Sequence, residues 1–106
     1  MEKPAKVDWS RPAKNDLLDI FEAMETLIGP DRADALIGRI VAKSEYLTKF
    51  PEMGGIHYDV SSRYVKFRYL LEGHYRIVYT FDETKHLVTI WGVEDARRDP
   101  DRLRNR

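Results

Sequence analysis

The stretch "LIGPD", Leu27 to Asp31, decides the fold because it joins two helical patterns through a turn too short to separate them. Apolar residues recur every three or four positions over 13–28 and again over 33–50, as they do on one side of an amphipathic helix. Gly29 suits a left-handed helix end, Pro30 cannot continue the first helix, and Asp31 can cap the second. The sequence therefore predicts an antiparallel helical hairpin that offers both apolar stripes to one partner. The stripes are Ala13, Leu17, Ile20, Phe21, Met24, Leu27 and Ile28, then Ala33, Leu36, Ile37, Ile40, Val41, Ser44, Leu47 and Phe50.

Strand patterns lie on both sides of the hairpin. The alternation in "AKVDWS" predicts a short N-terminal strand followed by Ser10 as a helix N-cap. Downstream, "RYVKFRYLL", "YRIVYTF" and "HLVTIWGV" predict three strands turned at "EGH" and "DETK", and the third, apolar on both faces, suits the sheet interior. The predicted class is α+β: an N-terminal strand and helical hairpin packed on one face of a small, mostly antiparallel sheet, in the order β-α-α-β-β-β. We expect one domain over residues 1–106.

The composition of the chain excludes several classes of function. The 106 residues carry 18 Lys/Arg and 18 Asp/Glu and no cysteine, which argues against a strongly basic nucleic-acid binder and excludes disulfide and thiolate chemistry. No apolar run is long enough for a membrane span or signal core, so we expect a soluble cytoplasmic protein without a membrane partner. The three histidines lack metal-ligand spacing, and we predict neither a metal site nor a cofactor.

Positive charge is concentrated in the second half of the chain, where residues 63–106 hold 10 Lys/Arg against 7 Asp/Glu. Lys66 and Arg68 lie two apart on a predicted strand, and Arg76 has matching parity on its expected partner. Arg97 and Arg98 follow the third strand and are placed to join them. The pattern predicts a cationic sheet face for phosphate or an acidic peptide. The alternative is a set of solvated strand cations without a ligand.

Two residues near these cations are candidates for moving protons. Glu94 precedes the C-terminal arginines, where it acts either as a base toward a ribose hydroxyl or as a neutralising partner. His74, two residues before Arg76, is a candidate acid, with an ordinary turn histidine as the alternative. Tyr64 is the aromatic residue expected to be exposed for stacking. Parity assigns most of the others to the core, namely Phe67, Tyr69, Tyr75, Tyr79, Phe81 and Trp91.

The order of these features resembles the RelE/ParE superfamily of toxins from bacterial type II toxin–antitoxin pairs. The matching stretches are "WSRPAKNDLLDIFE" at the first helix, "LTKFPEMGG" after the second, "YRIVYTF" in the sheet and "GVEDARRDP" near the end, together spanning about Val7 to Pro100. The resemblance implies a compact growth-inhibiting toxin that is neutralised by a cognate antitoxin.

The superfamily has two functional branches: RelE-like members cut messenger RNA on the ribosome, and ParE-like members inhibit DNA gyrase. In the nuclease pattern, strand cations hold the scissile phosphate, and a C-terminal tyrosine or histidine assists. Arg76 in "HYRIVY" matches the arginine of that pattern, Lys66 and Arg68 match its strand cations approximately, and Arg97 or Arg98 lies near its C-terminal arginine.

The chain departs from the nuclease pattern after Arg98, where "DPDRLRNR" contains neither tyrosine nor histidine. We therefore favour a ParE-like, noncatalytic toxin whose target is gyrase, with Lys66, Arg68, Arg76, Arg97 and Arg98 at the target or antitoxin interface. The alternative is a metal-independent endoribonuclease that uses Lys66, Arg68, Arg76, Glu94 and Arg97, with the ribosome and messenger RNA as partners. A third possibility is a nontoxic member that only binds its partner. Asp99 and Pro100 further predict the start of a short terminal helix.

Overall fold

The computed structural model describes residues 3–97 as two helices packed on one face of a five-stranded sheet. The elements are β1 (Lys6–Trp9), α1 (Arg11–Ile28), α2 (Pro30–Ser44), a 3-10 turn (Glu45–Thr48), β2 (Gly55–Ile56), β3 (Arg68–Glu72), β4 (Tyr75–Asp82) and β5 (Leu87–Asp95). The strand order is β1-β5-β4-β3-β2. Strand β1 pairs with β5 in parallel, and the other neighbours are antiparallel. The predicted α+β class is confirmed, as is the interior position of the third meander strand, β5.

The helical hairpin is closed by a single residue, Gly29, which ends α1 and precedes α2. Its φ of 89° lies in the region that favours glycine, and its N–H donates to the Glu25 carbonyl while its own carbonyl accepts from the Ala33 N–H. Pro30 is the first residue of α2, where its missing N–H costs no hydrogen bond, and Asp31 lies within the first turn. The prediction that Asp31 caps α2 was therefore wrong by two positions. Ser10 caps α1 as expected, its Oγ accepting from the Ala13 N–H at 3.2 Å.

The core lies between the helices and one face of the sheet. Its fully buried members include Ala13, Ala33, Ile40, Leu47, Ile77, Tyr79, Val88 and Ile90. The two helical stripes reach this core only over part of their length. Leu27 at the hairpin tip is 75% exposed, and Phe50, which follows the end of α2 at Ser44, is 57% exposed. Among residues 3–97, neither helix has the length and apolar character needed to cross a membrane.

Two irregularities in the sheet were not predicted. Residues 55 and 56 form the short edge strand β2 within the stretch expected to be loop. The pairing of β4 with β5 shifts between Val78 and Tyr79, so that Trp91 is an extra residue in β5. This bulge turns Trp91 away from the helices and leaves it 46% exposed, whereas simple alternation assigned it to the core.

Beyond β1, the edge of β5 is covered by α1. The Asp16 carboxylate accepts a hydrogen bond from the Val93 N–H at 2.9 Å. A Cβ at Gly92 would lie 3.1 Å from the same carboxylate, so glycine allows the close approach. Strand β1 ends before it reaches Val93, so the Val93 N–H has no strand partner on that side. The Asp16 carboxylate takes the place of that partner.

Candidate functional site

The register of the β3–β4 hairpin separates two of the candidate cations. A two-residue turn, Gly73-His74, pairs Glu72 with Tyr75, and the register then pairs Arg68 with Tyr79 and Leu71 with Arg76. The predicted three-residue turn "EGH" would have given the opposite parity, since a one-residue change in register moves every side chain to the other face. Arg68 and Arg76 therefore project from opposite faces of the sheet, and the prediction that they share one was wrong.

Arg68 braces the segment that leads into β2. Its Nη1 donates to the Glu52 carbonyl at 3.1 Å and to the Gly54 carbonyl at 2.9 Å, and its Nη2 lies 3.9 Å from the Glu52 carboxylate. The Gly54 N–H donates to the Tyr79 hydroxyl at 2.9 Å, so both the N–H and the carbonyl of Gly54 are hydrogen-bonded to side chains of the sheet. Burial raises the pKa of the Tyr79 phenol, against an opposing effect of the bond from Gly54. The donors of Arg68 are thus occupied by the protein itself.

Arg76 belongs to a cluster on the sheet face turned away from the helices, which we call the open face. Its Nε lies 3.3 Å from Glu94 Oε1, across the β4–β5 pair. The same carboxylate oxygen accepts from His57 Nε2 at 2.8 Å, and a carboxylate in this position requires the ring nitrogen to donate. Tyr69 completes the cluster, with its ring 5.7 Å from both the Arg76 guanidinium carbon and the His57 ring centroid.

His57 was not singled out by the sequence, although it is 6% exposed and joins the loop after β2 to Glu94. No spacing rule finds it, because 37 residues separate it from Glu94 and only sheet pairing brings them together. The histidine proposed instead, His74, lies in the β3–β4 turn against Tyr75, with ring centroids 4.5 Å apart. Within residues 3–97, its Nε2 is buried without a hydrogen-bond partner. His74 is not joined to the Arg76–Glu94 pair by a hydrogen bond in the part of the chain described.

The remaining candidate cations are separate from this cluster. Arg97 binds back to Asp95 through Nε at 3.3 Å and Nη2 at 3.2 Å. These bonds hold the pKa of the Asp95 carboxyl below its usual value and raise the pKa of Arg97. Lys66 is exposed in the loop before β3 and makes no ion pair with residues 3–97. Arg98 and the helix predicted at Asp99-Pro100 lie outside the described residues.

An open cleft of about 280 Å³ adjoins the cluster. Its lining combines carboxylates with apolar side chains: Asp16, His57, Val60, Phe67, Val78, Trp91, Gly92, Val93 and Glu94. Trp91 is fixed in place by its indole N–H, which donates to the Thr80 hydroxyl at 2.9 Å. In the described part of the chain, no group of three or more histidine, aspartate or glutamate side chains is arranged to hold a metal ion.

The electrostatic character of the open face follows from these pairs. On this face Arg76 is paired with Glu94, while Arg68 is directed to the other face. The Arg97–Asp95 pair lies apart from it, because the register places Asp95 opposite the buried Tyr75. The Glu94 carboxylate beside Arg76 is also held by His57, so it lowers the positive potential that a phosphate group would meet there. The face therefore differs from the free cationic surface that residue types alone suggested.

The fold and this site define a small α+β domain with a charge-compensated cluster on the open face of its sheet, and comparison with known proteins assigns its family. The sequence profile described as "ParE toxin of type II toxin-antitoxin system, parDE" matches residues 7–100. The chain therefore belongs to the ParE toxin family of type II toxin–antitoxin systems. Comparison with curated protein sequences finds no relative.

Solved structures of related systems share the fold. A chain of the chromosomal ParDE toxin–antitoxin system from P. aeruginosa superposes with a TM-score of 0.72 at 19% identity, covering 91% of this chain and 100% of that chain. A chain of the RelBE2 toxin–antitoxin complex from Mycobacterium tuberculosis superposes with a TM-score of 0.57 at 20% identity, covering 87% of this chain and 98% of that chain. At these identities the likeness concerns the fold alone.

Proposed function

We propose that this toxin arrests growth by binding a macromolecular target, DNA gyrase, without cutting RNA, and that a cognate antitoxin neutralises it in the cytoplasm. The observation that carries the proposal is the state of the candidate cations. Phosphoryl transfer needs donors aimed at a developing negative charge. Here Arg76 and Arg97 are paired with carboxylates, and Arg68 is bound to backbone carbonyls. Family membership supports the toxin role.

Two features support an antitoxin interface. Leu27 and Ile28, neighbours at the end of α1, are 75% and 37% exposed, and they offer apolar surface at the hairpin tip to an amphipathic helix. Strand β3 is paired with the two-residue β2 only at Arg68 and Tyr69, which leaves its remaining edge open to an added strand. Coexpression with the cognate antitoxin should restore growth and yield a stable complex.

A second candidate function, ribosome-dependent cleavage of messenger RNA, is favoured by one observation. Glu94 and His57 lie beside Arg76 on the open face, which is a combination of proton-transfer groups and a cation. In this alternative Arg76 binds the scissile phosphate after Glu94 is displaced from it, and Arg76→Ala abolishes cleavage. Lys66 and Arg97 would contribute further phosphate contacts.

One experiment separates the two functions. The toxin is expressed from a tightly repressed promoter, and plasmid supercoiling and transcript integrity are measured in the same cells during the first minutes of arrest. Gyrase inhibition predicts altered topology, a DNA-damage response and intact transcripts. Rapid transcript cutting with normal supercoiling would refute the gyrase proposal.

Variants sharpen this comparison. Arg76→Ala tests the candidate phosphate contact, and Arg39→Ala, an exposed substitution on α2, serves as the matched loss of one positive charge. Cutting that disappears only with Arg76→Ala would establish the nuclease alternative. The absence of any growth defect in the wild type would instead indicate a member that only binds its antitoxin.

A further inference from the structure

The loop that connects β2 to β3, residues 57–67, presents apolar side chains to solvent. Tyr58 and Tyr64 are 82% and 84% exposed, and Val60 and Val65 are 50% and 44% exposed. Single exposed apolar residues are common on protein surfaces, but four within eight consecutive positions form a local patch. Exposed apolar patches are common at surfaces that bind another molecule.

The loop is held in one conformation by its own hydrogen bonds. At its base, the His57 N–H donates to the Phe67 carbonyl at 2.8 Å. The Ser61 hydroxyl accepts from the Phe67 N–H at 2.9 Å and donates to the Phe67 carbonyl at 3.1 Å. At its tip, the Ser62 hydroxyl accepts from the N–H groups of Tyr64 and Val65. The backbone is therefore ordered before any partner arrives, which lowers the entropy cost of binding.

The base of the loop is also fixed to the sheet. The buried His57 ring donates to Glu94 on β5, and Phe67 lines the cleft beside Val78. Through these contacts His57 and Phe67 point toward the sheet, whereas Tyr58 and Tyr64 point toward solvent. The chain thus positions two tyrosines rigidly where they contribute little to its own core.

Charge indicates what kind of surface fits. The Arg63 guanidinium carbon lies 5.7 Å from the Tyr64 ring centroid, and Lys66 is exposed next to the patch. Tyrosine and arginine are the residues most enriched at the energetic centres of protein interfaces. Resting on the function proposed above, we propose that loop 57–67 is the element that recognises the toxin's target. The fitting partner is a folded protein with an apolar pocket bordered by carboxylates.

Two observations favour a target protein over other partners. A nucleic acid needs several unpaired cations, whereas this loop supplies Arg63 and Lys66, and the neighbouring Arg76 is paired with Glu94. An antitoxin segment that binds as a helix or added strand needs a groove or an open edge. The cleft at the base of the loop is lined by His57, Val60 and Phe67 and not by the two exposed tyrosines. Exposed aromatic side chains of this kind fit a pocket on a larger surface.

The test uses the full-length chain carrying Tyr58→Ala and Tyr64→Ala together, with Tyr46→Ala as control. Tyr46 is an exposed tyrosine on the 3-10 turn, 57% exposed, so its truncation matches the chemistry at a different site. Thermal unfolding by circular dichroism checks that all variants remain folded. The conservative pair Tyr58→Phe and Tyr64→Phe keeps the aromatic surface and should retain most of the activity.

Three properties are then measured: growth arrest at matched toxin levels, affinity for purified DNA gyrase of the expression host, and affinity for the cognate antitoxin. The double alanine variant should lose about 10- to 100-fold in gyrase affinity and fail to arrest growth, which is the scale of removing interface hot spots. Its antitoxin affinity should stay within about twofold of wild type, because the antitoxin binds elsewhere. Tyr46→Ala should match wild type in all three.

The outcomes separate this proposal from the gyrase proposal. If the wild type arrests growth without binding gyrase, the target assignment fails, and the growth phenotype of the tyrosine variants still decides the role of the loop. Growth arrest by the double alanine variant at the wild-type level overturns the loop proposal. Equal loss of antitoxin affinity overturns it in favour of an antitoxin surface. Tyrosine-dependent binding of a fluorescein-labelled single-stranded oligonucleotide overturns it in favour of nucleic acid, and a wild-type chain that arrests no growth overturns both proposals.

Discussion

Replacing Tyr79 with phenylalanine tests how the segment before β2 is attached to the sheet. The Tyr79 side chain is fully buried, and its hydroxyl is the acceptor for the Gly54 N–H at 2.9 Å. Phenylalanine keeps the ring and its packing but leaves this buried N–H without a partner, which costs about 1–3 kcal/mol. In a domain of this size each kcal/mol corresponds to about 4–8 °C in Tm. The Gly54 carbonyl remains bound to Arg68, so the loss should stay local.

Urea unfolding followed by tryptophan fluorescence measures the effect. The midpoint should fall while the slope with denaturant stays the same, because the surface exposed on unfolding is unchanged. Tyr46→Phe provides the matched control, since Tyr46 is exposed, and its effect should lie within about 0.5 kcal/mol of zero. A loss below about 0.5 kcal/mol for Tyr79→Phe would refute the reasoning that its hydroxyl is the essential partner of a buried Gly54 N–H.

Three further predictions concern the same framework. Gly54→Ala places a Cβ 2.7 Å from the Tyr79 hydroxyl and from backbone, so it should reduce the free energy of unfolding by more than about 3 kcal/mol, read from the urea midpoint. Asp16→Ala removes the acceptor of the Val93 N–H and should cost about 1–2 kcal/mol, with faster hydrogen exchange at Val93. Burial raises the pKa of Tyr79 and Tyr75, so their contribution to stability should be constant below about pH 10, the ordinary tyrosine pKa, and should be lost as pH rises through the higher folded-state values, seen as a falling Tm in alkali.

Controls distinguish these effects from general damage. Gly55→Ala meets Tyr69 ring atoms only at 3.5 Å and beyond, so it should be mild where Gly54→Ala is severe. Asp16→Asn keeps an acceptor oxygen and should recover part of the loss caused by alanine. In the pH series, Tyr79→Phe should unfold less steeply in alkali than wild type. An identical alkaline profile would show that Tyr79 does not contribute to the pH dependence.

The paired state of the cations limits what this chain can bind through charge. Residue types alone would allow the open face to bind phosphate, yet two guanidinium groups of the described chain are already matched by carboxylates from the same strand, β5. Arg97 follows these two carboxylates by two and three residues in the sequence. Strand β5 therefore supplies the carboxylates that compensate both guanidinium groups, which lowers the positive potential available to a phosphate group.

Local signals in the sequence determined the elements. The glycine and proline at 29–30 predicted the hairpin, and strand alternation predicted β4 and β5 within one or two residues. The period of apolar residues predicted both helices, although α2 ends at Ser44 and not at residue 50. These signals work because helix caps, proline geometry and side-chain periodicity depend on neighbours only a few residues away. The family resemblance rested on the same ordered stretches and is confirmed by the match over residues 7–100.

The tertiary structure decided what the candidate site is. A two-residue turn rather than a three-residue one sent Arg68 and Arg76 to opposite faces, and the bulge at Trp91 moved an assumed core residue to the surface. The fold also brought His57 into hydrogen-bonding contact with Glu94, which is 37 residues away in the sequence. Composition and periodicity specify which side chains alternate, but register, bulges and long-range pairing depend on how strands fit together in three dimensions, so these properties became visible only in the folded chain.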